Sequence, residues 1–160
     1  MNGAPLPPEH GFPARLLVPG RYGMKNPKWI VALEVIDEPY AGYWEKLGWS
    51  DTAEYKPNTL IFQPSSDDKV ALGKPLTVAG PAFAGSDPVV AVDLRVNDGP
   101  WQPCTLDYAP GADIWTFWHH VWTPTQPGNY TLQVRCTPLG GKSSIDNAKN
   151  LGDYSGYGGS

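Results

Sequence analysis

The chain has 160 residues, enough for one large domain or two small ones. Hydrophobic residues make up 41% and charged residues 18%, which excludes wholesale disorder, while 18 prolines and 18 glycines break helices and favour short strands joined by turns. A net charge of −4 disfavours nucleic-acid binding, no apolar run approaches the roughly 18 residues of a membrane span, and two cysteines are too few for a disulfide scaffold or a cysteine zinc site.

Residues 2–8 contain Pro5, Pro7 and Pro8, which forbid a helix or a paired central strand. A short strand is predicted at 14–18, stopped by Pro19-Gly20. Residues 29–36 are nearly continuously apolar and rich in β-branched side chains, the pattern of a well-buried strand. The aromatic stretch 40–49 reads as a helical turn, and Lys56-Pro57-Asn58 as a linker. Beyond it come strand candidates at 59–62, 76–79, 89–96, 101–106, 114–122 and 130–136. Gly80-Pro81, Asn97-Asp98-Gly99-Pro100, Pro110-Gly111 and Pro127-Gly128 punctuate them, a spacing typical of a β-sandwich. Asn97-Asp98-Gly99 is the best hairpin turn, since Asp and Gly tolerate positive φ. From 143 the periodicity is lost and the chain becomes rich in Gly and Tyr.

Two domains are therefore expected. Residues 59–160 suffice for an independent sandwich. Residues 1–58 hold one strong strand and two elaborate loops, too little to offset chain entropy, and read as the end of a larger domain. This first part is locally basic: Arg15, Arg21, Lys25 and Lys28 stand against Glu9 alone within residues 1–28. Basic residues on Pro- and Gly-rich turns suit an anion site, because proline limits loop entropy, glycine lets backbone N–H groups approach an oxyanion, and arginine offers a planar donor fork. The other reading is a solvated loop that carries a few cations.

The opening residues run Asn2-Gly3, Pro5-Leu6-Pro7, His10-Gly11-Phe12-Pro13, Arg15, Val18-Pro19-Gly20, Tyr22-Gly23 and Lys28-Trp29. This run resembles the end of the molybdenum-cofactor domain in the sulfite oxidase family, which includes assimilatory nitrate reductases. Residues 59–160 resemble the immunoglobulin-like dimerisation domain of the same family through Pro64, Gly80, Gly85, Asp98-Gly99, Trp101, Trp115, Trp118 and Val134-Arg135. The implied fold is mainly β: an immunoglobulin-like β-sandwich preceded by the C-terminal remnant of an α+β cofactor-binding domain.

The resemblance implies that His10, Arg15, Asn26, Pro27 and Lys28 hold the pterin and its phosphate in a molybdenum-molybdopterin enzyme that transfers an oxygen atom to or from a small oxyanion. It implies a homodimer formed through the sandwich. No residue of this chain is expected to ligate metal or to act as a catalytic residue, because the ligating cysteine of the family lies upstream of the motif. Cys104 and Cys136 read as small buried residues, so the 160 residues alone are expected to be inactive. At the position of an arginine that binds anionic substrate in sulfite oxidases, this chain has Thr116, which leaves the substrate open. The chain also stops short of the usual final strand, as a truncated piece would. The competing class is a non-catalytic immunoglobulin-like binding module whose N-terminal extension is a structural arm.

The strand 114–122 carries bulk on both faces, with Trp115, Phe117, His119 and Val121 on one and Trp118, His120 and Trp122 on the other. Two readings stay open: a face that meets the cofactor domain or a second subunit, or an aromatic core strand with a bulge. His119-His120 is a poor metal pair, because neighbours in a strand point opposite ways.

Overall fold

A computed structural model describes residues 2–66 and 68–141. The chain divides into two compact units, the first running to Tyr55 and the second starting at Lys56. The Gly- and Tyr-rich tail, and the question of a final strand, lie outside the described residues.

The first unit has little regular structure. Its described residues contain two 3-10 turns, Pro8–His10 and Gly23–Lys25, and one short helix, α1 (Tyr43–Lys46). Ala53 is its one buried hydrophobic side chain among the described residues. Polar and backbone contacts hold it instead. The Arg21 guanidinium bonds the Thr52 carbonyl at 3.0 Å and pairs with Glu54 at 2.7 Å, and the Tyr22 and Tyr55 rings stack at 4.4 Å. The Lys25 ammonium bonds Glu45 of α1 and lies 3.4 Å from Asp51.

The predicted strand 29–36 is not a strand in this structure. Val31, Leu33 and Val35 are 92%, 84% and 101% exposed. A strand needs a neighbour for its backbone N–H and C=O groups, and beyond Ile30 the described residues of the unit supply none along this stretch. Residues 14–18 are likewise outside any named strand, yet they are tied to the next segment. The Leu16 N–H donates to the Pro27 carbonyl at 3.0 Å, and the Ile30 N–H to the Ala14 carbonyl at 2.9 Å.

The described residues of the second unit form seven strands: β1 (Asn58–Thr59), β2 (Leu76–Phe83), β3 (Val89–Val96), β4 (Gln102–Pro103), β5 (Thr105–Tyr108), β6 (Thr116–Trp122) and β7 (Leu132–Pro138). All pairings are antiparallel, in a four-stranded sheet ordered β1-β2-β6-β5 and a three-stranded sheet ordered β4-β3-β7. The protein is thus mainly β with almost no helix. Val78, Ala82 and Trp118 of the first sheet and Val92, Leu94, Val134 and Cys136 of the second form one core. The Trp118 indole N–H donates to the Thr59 hydroxyl at 3.0 Å, which donates to the Pro81 carbonyl at 2.9 Å, so the largest buried ring carries no unmet donor.

Two local expectations need correction. Gly80-Pro81 was expected to be a turn but lies inside β2. The Leu60 carbonyl comes so close to Gly80 that any Cβ there would overlap it, and Pro81 serves the sheet through its carbonyl, which accepts from the Leu60 N–H at 3.1 Å. Close backbone approach explains this glycine better than a reversal. The single strand expected at 101–106 is two strands in different sheets, β4 and β5, and the Cys104 N–H still reaches the Val92 carbonyl at 2.8 Å where the chain crosses over.

In β6, Thr116 and Trp118 are buried, whereas Phe117 and Val121 are exposed, as is the preceding Trp115. The outer face is bulky as well, with Tyr108 6.2 Å from Phe117 and Phe83 5.1 Å from Trp115 between ring centroids. Outside β3 and β7, Trp101 has the Arg95 and Arg135 guanidinium carbons 4.7 and 4.5 Å from its ring centroid, and Arg135 pairs with Asp93 at 3.0 Å.

Candidate cofactor-contacting site

His10, Arg15, Asn26, Pro27 and Lys28 all fall in the first unit. Gly11 lets three of them come together: its φ of +114° strains any residue with a side chain, and an added Cβ would crowd the Cβ atoms of both Arg15 and Lys28 at 3.1 Å. The glycine closes the Pro8–His10 turn, and its N–H donates to the Pro8 carbonyl at 3.2 Å. The Arg15 guanidinium bonds the His10 carbonyl at 3.2 Å, and the Lys28 ammonium bonds the Glu9 carbonyl at 2.9 Å. The imidazole-bearing turn, a guanidinium and an ammonium therefore meet around one glycine.

The four cations of the segment differ in availability. Arg21 and Lys25 are paired with carboxylates of their own unit. Arg15 and Lys28 pair with no carboxylate among the described residues and bond only backbone carbonyls. Arg15 Nε is buried without a hydrogen-bond partner among the described residues. A buried unmet guanidinium N–H is costly and rare in a finished site, so this donor suits an acceptor supplied from outside the segment.

Asn26 has a different part. Its side-chain oxygen accepts from the Val18 N–H at 2.5 Å, and its amide nitrogen donates to the Arg21 and Tyr22 carbonyls at 3.2 and 3.0 Å. The side chain knits loop 18–22 to the segment that carries Lys28. The Pro27 carbonyl is engaged by Leu16. Sequence reading missed Trp29 in this role. Its indole N–H donates to the Pro8 carbonyl at 2.7 Å, and the Lys28 ammonium stands 4.7 Å from its ring. The one signal available was its place directly after Lys28 in the motif.

Among the described residues no group of three or more His, Cys, Asp or Glu side chains could hold a metal ion. Cys104 and Cys136 lie in the second unit and are not joined by a disulfide. Burial, reinforced by the Asp93 carboxylate, pushes the Cys104 thiol up to about 12, the opposite of what a thiolate ligand requires. His119 Nδ1 lies 2.8 Å from the Asp107 carboxylate, and His120 Nδ1 lies 3.1 Å from the Pro103 carbonyl, so each ring has its own partner. Thr116 is buried in the core and its hydroxyl finds no partner among the described residues. A cavity of about 770 Å³ in the second unit, floored by Ile61, Leu76, Trp122 and Leu132, contains none of the expected cofactor contacts.

Residues 1–44 match the family model described as the oxidoreductase molybdopterin-binding domain. The chain is 32% identical to sulfite oxidase of Gallus gallus, over 94% of this chain and 36% of that protein. It is 26% identical to an NADH nitrate reductase of Phaseolus vulgaris, over 73% of this chain and 17% of that protein. The crystal structure of the sulfane dehydrogenase SoxCD from Paracoccus pantotrophus superposes with a TM-score of 0.74 at 25% identity, covering 89% of this chain and 39% of the SoxCD chain. The chain thus spans little more than a third of these relatives at most. The opening motif, the family model and the relatives agree, and the chain belongs to the sulfite oxidase family of molybdopterin-dependent oxidoreductases.

Proposed function

We propose that the first unit is the C-terminal part of a molybdopterin-binding domain and contributes pterin contacts in a larger oxidoreductase. Family membership implies a molybdenum-molybdopterin cofactor in the full enzyme. When bound, that group supplies two-electron oxygen-atom transfer, and the substrate is a small oxyanion such as sulfite or nitrate. Arg15, Lys28 and the His10 turn hold its anionic end, while Asn26 and Pro27 keep the surrounding loop in register. The observation that carries the reading is the buried, partnerless Nε of Arg15 beside Gly11, inside the matched residues. The exposed apolar run 31–36 supports it, since such a run is stable as a strand only within a larger sheet.

In the full-length enzyme, Arg15→Ala and Lys28→Ala should each lower the molybdopterin retained through purification about tenfold, as loss of a charge-assisted hydrogen bond predicts. Pterin content is read as the fluorescence of its oxidised form. Retention at the wild-type level in both variants would sink the proposal and favour the non-catalytic module. The 160 residues alone are proposed to convert neither sulfite nor nitrate when molybdopterin is added, because burial pushes the Cys104 thiol up to about 12 and the Cys136 thiol is enclosed in the core of the second unit.

The second unit is proposed to be the immunoglobulin-like domain that mediates homodimerisation. Its exposed Trp115, Phe117, Val121 and Tyr108 make an aromatic face of the kind enriched at subunit interfaces. Phe117→Asp should then convert a dimer to a monomer in sedimentation analysis, and an unchanged mass would exclude this face.

A further inference from the structure

Trp29 has a left-handed backbone, with φ of +57°. For a bulky residue this conformation is an outlier that something else must offset. Burial does not, since the side chain is more than half exposed. The contacts of Trp29 and its neighbour show what the conformation achieves. The indole N–H donates to the Pro8 carbonyl at 2.7 Å, and the Lys28 ammonium donates to the next carbonyl, that of Glu9, at 2.9 Å. In extended chain, consecutive side chains project to opposite faces, so two adjacent residues would not both reach consecutive carbonyls of one turn. The left-handed step breaks that alternation. On either side of it the backbone stays anchored to the segment bearing Arg15, through Pro27 with Leu16 and Ile30 with Ala14.

Resting on the reading that this segment holds the anionic end of the pterin, we propose that Trp29 is a positioning residue for Lys28. Its left-handed backbone and indole N–H lock the Pro8–His10 turn beside Lys28, so that the ammonium is offered next to Arg15. One of the three ammonium protons satisfies Glu9, and the other two remain for an anion. The ring, 4.7 Å from the ammonium, confines its reach.

The test is the rate at which molybdopterin leaves the full-length enzyme in a large excess of inorganic phosphate, with thermal unfolding measured alongside. Trp29→Phe keeps the ring and removes the N–H. Trp29→Asn keeps a residue that tolerates positive φ and removes the indole. Trp29→Phe and Lys28→Ala should each speed release about tenfold, and the double variant should release no faster than either alone, because one acts through the other. Trp29→Asn should match Trp29→Phe, with little change in the unfolding midpoint. Either of two results would overturn the proposal while leaving the clasp intact: release at the wild-type rate from Trp29→Phe or Trp29→Asn while Lys28→Ala and Arg15→Ala accelerate, or effects of Trp29→Phe and Lys28→Ala that multiply. Wild-type release from Lys28→Ala and Arg15→Ala as well would remove the clasp, and this inference with it.

Discussion

The two units of this chain are stabilised by different physics. The second joins two sheets over a continuous apolar core whose central ring, Trp118, is 1% exposed and hydrogen-bonded. The first has one buried hydrophobic side chain among its described residues and relies on Arg21–Glu54, on Lys25 with Glu45 and Asp51, and on side chains bonded to loop carbonyls. A core tolerates change at its surface and fails when hollowed. A set of ionic and polar ties tolerates loss of bulk but answers to protonation. The unit that carries the proposed cofactor contacts is the one whose geometry depends on charge.

Hollowing the core should give the largest effect. Trp118→Ala removes the biggest buried ring and leaves the Thr59 hydroxyl without its donor, and should cost about 3–5 kcal/mol in urea unfolding of the second unit. A much smaller loss would show that the two sheets collapse onto the gap.

Acid should act on the other unit and more weakly. The hydrogen bond from Lys25 holds the Glu45 carboxyl below its usual range, with the helix-start backbone N–H groups adding to this. A depressed carboxylate contributes stability that is present above its unfolded value, about 4.5, and is lost as pH falls through the folded value. Lys25 is raised, chiefly by the same bond, so its contribution is complete below about 10.5 and fades as pH rises past the folded value. Backbone amide resonances of Gly23–Lys25 and of α1 should therefore shift together on acidification below about pH 4.5 while those of β2 and β6 stay fixed. Simultaneous loss of both sets would mean that the polar unit is not independently acid-labile.

What the sequence disclosed follows the same division. Strands β3 and β7 were legible because alternation and flanking turns fix them locally, β6 because turns flank a run of aromatic residues, and the hairpin turn foreseen at 97–99 is present with its positive φ, +51°, on Asn97 rather than on Asp98 or Gly99. The run 29–36 reads as a strand because its residues favour one, but strand formation is a property of partners, and local pattern is silent about whether they are there. Gly80-Pro81 misled for a related reason: a glycine required by a carbonyl pressing on its backbone looks in sequence like a glycine required by a turn. At the site, the residue types suited to an anion were visible on the chain, whereas the approach of Lys28 to the Gly11–Arg15 segment depends on contacts between separate segments of the chain. The left-handed Trp29 breaks the local rule for bulky residues, and no pattern analysis would place one there.

The crossover at Cys104 has a mechanical consequence. One short covalent stretch belongs to both sheets, as β4 on one side and β5 on the other. Sliding the sheets past each other would have to stretch this bridge or break the bond between the Cys104 N–H and Val92. A load applied at the Tyr108–Phe117 surface is therefore passed through the main chain to the strand beside the Arg95–Trp101–Arg135 stack, so these opposite surfaces of the second unit should move as a single lever rather than as two loosely glued plates.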